Sequence, residues 1–440
     1  MDAVRGMHGP GPFYKDVLYL QGKHRSEDIW NGQDPGPLTC QNSLLYAMRQ
    51  WVPHPRIIPY LQKAGFFHVH RLGVGFQMDW ALVTALVERW RQETHTFHLT
   101  VGETTITLQD VAILMGLRVD GPAVTGSTVH DWATLCEQYL GVRPLDEHLK
   151  GSSLQFTWVQ QHFTTLPDDA TEDVVQMHAR AYILCLISGP LLPDRLASSV
   201  QLVYLPLLRD LDHCGRLSWG GAVLACLYRA LCHASHRRAT KITGPLLLLH
   251  LWSWERLYVG RPIKIERLPM DREVDPWGCR WKGKLSHHQN PGPCSLRFYR
   301  DKLDNLTNYQ VIWQPYTLDI IFFKLPDICV EGQGVWRSEV PLICFDIIEW
   351  HFPSRVMRQF GMVQCIPEDV NTNIMLHQQN KQGRHAFDGE VPHKRYIKLW
   401  DDRHKTVVKD DAGSDYLPAH GEYMTWYRSI TRCIIAPLTD

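Results

Sequence analysis

Between residues 171 and 258 four apolar segments follow one another with short joins: TEDVVQMHARAYILCLISG, SSVQLVYLPLLRDLDHCG, SWGGAVLACLYRALCHASH and GPLLLLHLWSWERLYVG. Each opens at Thr, Ser or Gly-Pro and three close near Gly, the marks of helix starts and stops. A helix that is apolar nearly all round must be covered nearly all round. Short joins make neighbours pack antiparallel, so this run predicts a central helical bundle, with Pro206 kinking its second member.

Other segments would dock on that bundle. Asp79 is placed to cap a helix whose Val83, Leu86, Val87 and Trp90 share a face, and DWATLCEQYLG (131–141) repeats the pattern with Trp132, Leu135, Cys136 and Tyr139 before a glycine. In THTFHLTVGETTITLQDVAILMGL (94–117), Phe97, Leu99 and Val101 alternate with Thr96, His98 and Thr100, the period of a half-buried strand. Gly102-Glu103 suits a tight turn, and Thr107 with Asp110 forms a capping box for a helix carrying Val111, Leu114 and Met115. One cation, Arg118, stands just past this stretch. A packed corner knitting the N-terminal region onto the bundle fits it better than a winged reader of DNA.

After about residue 260 the texture changes to Trp, Pro and Gly punctuation with β-rich runs, YQVIWQPY (309–316) and PLICFDIIEW (341–350). The fold class expected is therefore α+β, predominantly α-helical, with a central helical bundle and small antiparallel β-hairpins and sheet. Residues 1–13 read as a loose Gly/Pro tail and 14–440 as one large domain, with a soft internal boundary near 260–295.

Composition limits the function. The 46 Lys and Arg balance the 46 Asp and Glu, so the whole chain has no bulk pull toward nucleic acid or an anionic membrane. The most apolar windows, AYILCLIS and PLLLLHLW, fall well short of a bilayer span, and the first fifteen residues lack a secretory core. Twelve dispersed Cys with no CxxC pair read as reduced, buried thiols. A soluble, intracellular protein is expected.

Candidate chemistry is sparse. In GCRWKGKL (278–285), Gly278, Gly283 and Lys284 have phosphate-loop spacing, but Leu285 replaces the hydroxyl that should hold magnesium and Trp281 would crowd the cradle. Cys279, His287, His288 and Cys294 offer zinc-type donors in no familiar spacing, and the default is a Pro/Gly loop with solvent-facing histidines. His68 and His70 would alternate along a strand as structural imidazoles. Asp346, Glu349 and His351 have the residue types of a two-metal site, yet a strand puts Asp346 and Glu349 on opposite faces and no third acid is identifiable. FPSRVMRQFG (352–361) reads as a short helix with Val356, Met357 and Phe360 inward and Arg355 and Arg358 outward, and Arg237, Arg238 and Lys241 form another small basic cluster.

Six stretches carry a resemblance: DVLYLQGKHRSEDIW (16–30), AGFFHVHRLG (64–73), LVTALVERWRQETHTFHLTVGETTITLQDVAILMGLRVDGPAVTG (82–126), CGRLSWGGAVLACLYRALC (214–232), LLLLHLWSWERLYVGRP (246–262) and PLICFDIIEWHFPSRVMRQFG (341–361). Together and in this order they resemble the plant mobile domain family, also labelled aminotransferase-like, which includes the MAIN-like or maintenance-of-meristems proteins and relatives carried by transposable elements. The resemblance implies a nuclear plant protein that supports transposon silencing, genome stability and meristem maintenance with a phosphatase-like nuclear partner. It transfers no catalytic residues. Transamination needs a Schiff-base Lys, a partner for the pyridine nitrogen and a phosphate cup, and these residues do not assemble them. The expectation is a non-catalytic protein-interaction module with no catalytic, cofactor-binding or metal residues assigned and no cofactor. The alternative is a transposon-derived nucleic-acid binder or remnant metal-dependent nuclease or transposase, with weak contact to DNA or chromatin.

Overall fold

In the computed structural model, which describes residues 11–40, 44, 47–73, 76–193, 199–262, 271, 274–283, 294–323, 325–377 and 390–436, the Asp79 carboxylate accepts hydrogen bonds from the N–H groups of Ala81 and Leu82, both 3.1 Å away. Helix α1 (Trp80–Val87) starts there, as its sequence predicts. The chain then folds into three antiparallel strands, β1 (Trp90–Arg91), β2 (Thr96–Leu99) and β3 (Gly102–Thr104). Leu99 faces Gly102, so the reversal falls on Thr100 and Val101, not on Gly102-Glu103. Gly102 is needed for a different reason: at φ +122° its missing Cβ would lie 2.7 Å from a guanidinium nitrogen of Arg358.

Alternation predicted a half-buried strand, but β2 is buried on both faces. Its polar side stays satisfied, since Thr96 Oγ1 donates to Glu103 (2.8 Å) and His98 Nδ1 lies 2.6 Å from Thr431 Oγ1. The capping box at Thr107 and Asp110 then opens α2 (Leu108–Met115), buried at every position, and Gly116 closes it in the left-handed region. Helix α3 (Trp132–Leu140) runs from its Asp131 cap to Gly141.

Three of the four central segments form the expected helices: α4 (Glu172–Leu186), α5 (Trp219–Ala234) and α6 (Leu246–Arg256). The second does not. Residues Ser199–Gln201 pair as a strand with Ser153–Gln155, Leu202–Leu208 wind as a tight 3-10 stretch around Pro206, and Asp210 caps a fresh short helix over Leu211–Arg216. Pro206 cannot donate to a helix ladder, and Asp210 offers a new start four residues later.

Helix α7 (Cys294–Asp304) packs on α1. Strands β4 (Val340–Cys344) and β5 (Ile347–His351) form the second hairpin, turning at Phe345-Asp346. The run 309–316 is not a strand. Ile312 N–H donates to Arg256 C=O (2.8 Å) and Trp313 C=O accepts from the Arg256 guanidinium (2.6 Å), so this run is tied to the end of α6. Helix α8 (Glu422–Ile430) comes last, and Tyr427 of α8 donates to Leu99 C=O (2.8 Å).

Helix α5 lies at the centre, packed against α2, β4 and β5. One contiguous apolar cluster runs from Leu38 to Trp400 and includes Trp277, Trp281 and Tyr299 across the 260–295 region, while Tyr423, Met424, Tyr427 and Ile430 form a satellite. The architecture is α+β and predominantly helical. Among the described residues its sheets are antiparallel except for one two-residue parallel pair, Thr39–Cys40 with Lys241–Ile242. Of the expected tail, residues 1–10 lie outside the described residues, and Phe13 and Tyr14 donate their N–H groups to Ser429 C=O. Among the described residues no helix is long and apolar enough to cross a membrane.

Burial pushes the His250 imidazole of α6 down to about 3, and burial together with Arg71 and Lys282 pushes His70 down to about 4. Both are neutral in the folded chain and basic at about 6.5 in the unfolded one. Their contribution to stability is complete above pH 6.5 and is lost as pH falls toward 4 and then 3, because the unfolded chain takes up protons first. For His250 the loss is about 2 kcal/mol at pH 5. Urea midpoints measured from pH 7.5 to 5 should fall accordingly, and His250→Phe should flatten that slope.

Candidate functional site

The two basic side chains expected on an outer helical face turn inward. Residues Pro353–Phe360 form 3-10 turns broken at Val356, where φ is −134°, and the break rotates Arg355 and Arg358 into the protein. Arg355 donates to both oxygens of Glu103 (2.7 and 2.8 Å). Arg358 lies 3.3 Å from the centre of the Trp313 ring and donates to Val101 C=O (2.8 Å), and its burial lowers it to about 10. Gln359 bonds Thr104 and Thr105. The hairpin β2–β3 therefore docks on the C-terminal third as well as on the helices. The same sheet also joins the N-terminal region to the bundle, since Trp90 C=O meets His24 Nε2 (2.8 Å) and Arg91 donates to Gln21 (2.9 Å) while Phe97 stacks on Trp252 of α6.

Four more buried pairs follow the same rule. Arg89 meets Asp304 (2.6 Å), Arg300 meets Glu88 (2.7 Å), Arg256 meets Asp110 (2.9 Å) and Arg229 meets Glu349. In the other predicted basic cluster, Arg237 pairs with Asp28, while Arg238 and Lys241 are exposed.

Asp346 and Glu349 do not share a site. Asp346 sits in the β4–β5 turn, whereas Glu349 is fully buried on β5, between Arg229 of α5 and His95. His95 Nε2 is 3.1 Å from Glu349 Oε2, and its Nδ1 donates to Trp350 C=O at 2.7 Å. Cys232, near the end of α5, completes a group of three, with all donor atoms within 4.8 Å of one another and all three residues buried. Its sulfur accepts from the Trp90 indole N–H (3.3 Å). Burial, and then the Glu349 charge, raise the Cys232 thiol well above its ordinary range. His351 points elsewhere: Nδ1 donates to Ser338 C=O (2.9 Å), and burial lowers the ring to about 4. Positions 95, 232 and 349 carry no spacing signal, and only folding brings them together.

His68 and His70 lie on a short helix, Phe67–Leu72, not on a strand: His70 N–H donates to Phe66 C=O, and Val69 and Leu72 are buried at helical spacing. Their Nδ1 atoms meet Val274 C=O (2.9 Å) and Tyr182 Oη (3.0 Å). Gly278 packs so closely on Leu114 C=O that a Cβ would stand 2.4 Å from it, leaving no phosphate cradle, and Lys282 donates to Arg71 C=O. Lys284, Leu285, His287 and His288 lie outside the described residues. Cys279 is buried and pushed up to about 12. Cys294 begins α7.

A recess of about 390 Å³ opens between α2 and the C-terminal third, lined by Gln109, Gln314, Gln333, Trp336, Arg337 and Met362 among others. Gln109 Oε1 and Trp336 Nε1 in its walls are buried and have no hydrogen-bond partner among the described residues.

Removing one partner of a buried pair strands a charge, which costs roughly 3–5 kcal/mol. Arg355→Ala should lose that much in urea titrations. The double variant Glu103→Gln, Arg355→Met should recover most of it, and a cycle with no coupling between the two changes would contradict the pairing.

The family model described as plant mobile domain matches residues 65–428. Over 439 residues the chain is 48% identical to an Arabidopsis thaliana protein named Serine/threonine-protein phosphatase 7 long form homolog, covering 98% of this chain and 32% of that one. It is 38% identical to Protein MAIN-LIKE 2 of the same plant, over 97% of this chain and 62% of that one, and 35% identical to Protein MAINTENANCE OF MERISTEMS, over 94% and 82%. The chain thus spans about a third of the first relative and about three fifths of the second. No solved structure matches it. By the matched span, and by relatives similar along nearly its whole length, the chain belongs to the plant mobile domain family.

Proposed function

We propose that this chain is a non-catalytic interaction module of the nucleus, which supports transposon silencing, genome stability and meristem maintenance through protein partners. The observation that carries this reading is where the same span recurs: as a minor part of a phosphatase-named protein and as most of proteins named for meristem maintenance. A unit used in both settings contributes what both need, and binding is such a property where one particular reaction is not.

The distribution of cations supports the same reading. Arg89, Arg229, Arg256, Arg300 and Arg355 face carboxylates inside the protein, which leaves them unavailable to a phosphate backbone. The recess beside Trp336 and Arg337 offers residue types that dominate protein-protein hot spots. A phosphatase-like protein is the partner class we favour, because a relative so named carries this span in one chain.

Affinity purification of the tagged chain from plant nuclei, with and without nuclease, tests the proposal. Protein partners should survive the nuclease, and Arg337→Glu should reduce their recovery without lowering the melting temperature. Loss of all partners on nuclease treatment, with steep salt dependence of DNA binding, would instead establish the nucleic-acid reading.

A further inference from the structure

The contact between His95 and Glu349 raises a question of hydrogen accounting. His95 Nδ1 donates to the Trp350 carbonyl at 2.7 Å, because a carbonyl only accepts. That leaves Nε2 facing Glu349 Oε2, an acceptor, 3.1 Å away. A hydrogen on Nε2 or a metal ion between the two atoms would join them.

The surroundings favour the metal. A tetrahedral zinc-like ion holds its nitrogen and oxygen donors about 3.3 Å apart, so the 3.1 Å separation admits an ion as well as a hydrogen bond. The Cys232 sulfur supplies a third donor within 4.8 Å of both, a reach that a shared proton does not need. Each donor also has the outer partner that orients a metal ligand. His95 gives its other N–H to Trp350 C=O, Glu349 binds Arg229 through Oε1 and leaves Oε2 toward His95, and Cys232 receives the Trp90 indole N–H. The backbone agrees, since His95 stands at φ +52°, an unfavourable conformation for a residue with a Cβ, while its ring stacks on Trp90 at an interplanar angle of 15°.

We propose that His95, Cys232 and Glu349 bind one divalent transition-metal ion of the zinc class, which fastens the first hairpin, α5 and β5 together. The exchange balances. One doubly charged ion enters and two protons leave, one from the Cys232 thiol and one from between His95 and Glu349, so the net charge of the cluster with Arg229 is unchanged. Thiolate, imidazole and carboxylate together suit zinc or cobalt better than calcium or magnesium. Three protein donors leave one position, which a buried water would fill. Because all three donors are buried, the ion's role is structural.

The test is metal analysis of the full chain expressed in zinc-supplemented medium and dialysed against a weak chelator. About one zinc per chain is expected. Cobalt loading should give a thiolate-to-cobalt absorption band. Cys232→Ser and His95→Gln should each lose most of the metal and that band, whereas Cys232→Asp, which keeps a ligand atom, should retain the metal without the band. If the first two variants fail to fold, the Cys232→Asp spectrum and the response of the unsubstituted chain to a strong chelator still decide: its melting temperature should fall by several degrees. Less than about a tenth of an ion per chain with no cobalt band would overturn the proposal. So would full metal retention in both Cys232→Ser and His95→Gln, which would place the ion elsewhere.

Discussion

A guanidinium carried into an apolar core must meet its counter-charge there, and in this protein that requirement joins segments far apart in the chain. Arg256 of α6 meets Asp110 of α2, Arg229 of α5 meets Glu349 of β5, Arg355 meets Glu103 of β3, and Arg89 and Arg300 exchange carboxylates between α1 and α7. Asp110 shows how tightly this is built. One of its oxygens accepts from Thr107 N–H and starts a helix, while the other accepts from Arg256 and from the Tyr316 hydroxyl. Local helix initiation and long-range assembly thus share one carboxylate. Such pairs add little net stability over a well-packed apolar core, but each excludes arrangements that would leave a charge alone.

Local signals were legible in the sequence, and long-range ones were not. The caps at Asp79, Thr107 and Asp131 and the helices α4, α5 and α6 follow from groups within four residues of one another, so a single stretch contains the whole argument. The segment around Pro206 misleads because its strand exists only by pairing with Ser153–Gln155, far away in the chain. Arg355 and Arg358 look like surface cations until Val356 breaks the helical dihedrals and Glu103 and Trp313 receive them. His95 and Cys232 carried no local mark. Their meeting with Glu349 depends on two hairpins closing over one helix.

The same inward use of charge shapes the functional reading. The chain's charge is evenly balanced, and Arg89, Arg229, Arg256, Arg300 and Arg355 face internal carboxylates, so these five cations do not add to a surface field that could steer a polyanion. Under the proposed reading, shape and aromatic surface would carry the recognition of a protein partner.

Arg432, just beyond α8, donates to the carbonyl of Gly11 at 2.8 Å, so two residues more than four hundred positions apart touch. Gly11 and Arg432 therefore stand side by side on the body. A unit with that geometry can be spliced into a longer host as a side loop, with the host's own path almost unbroken.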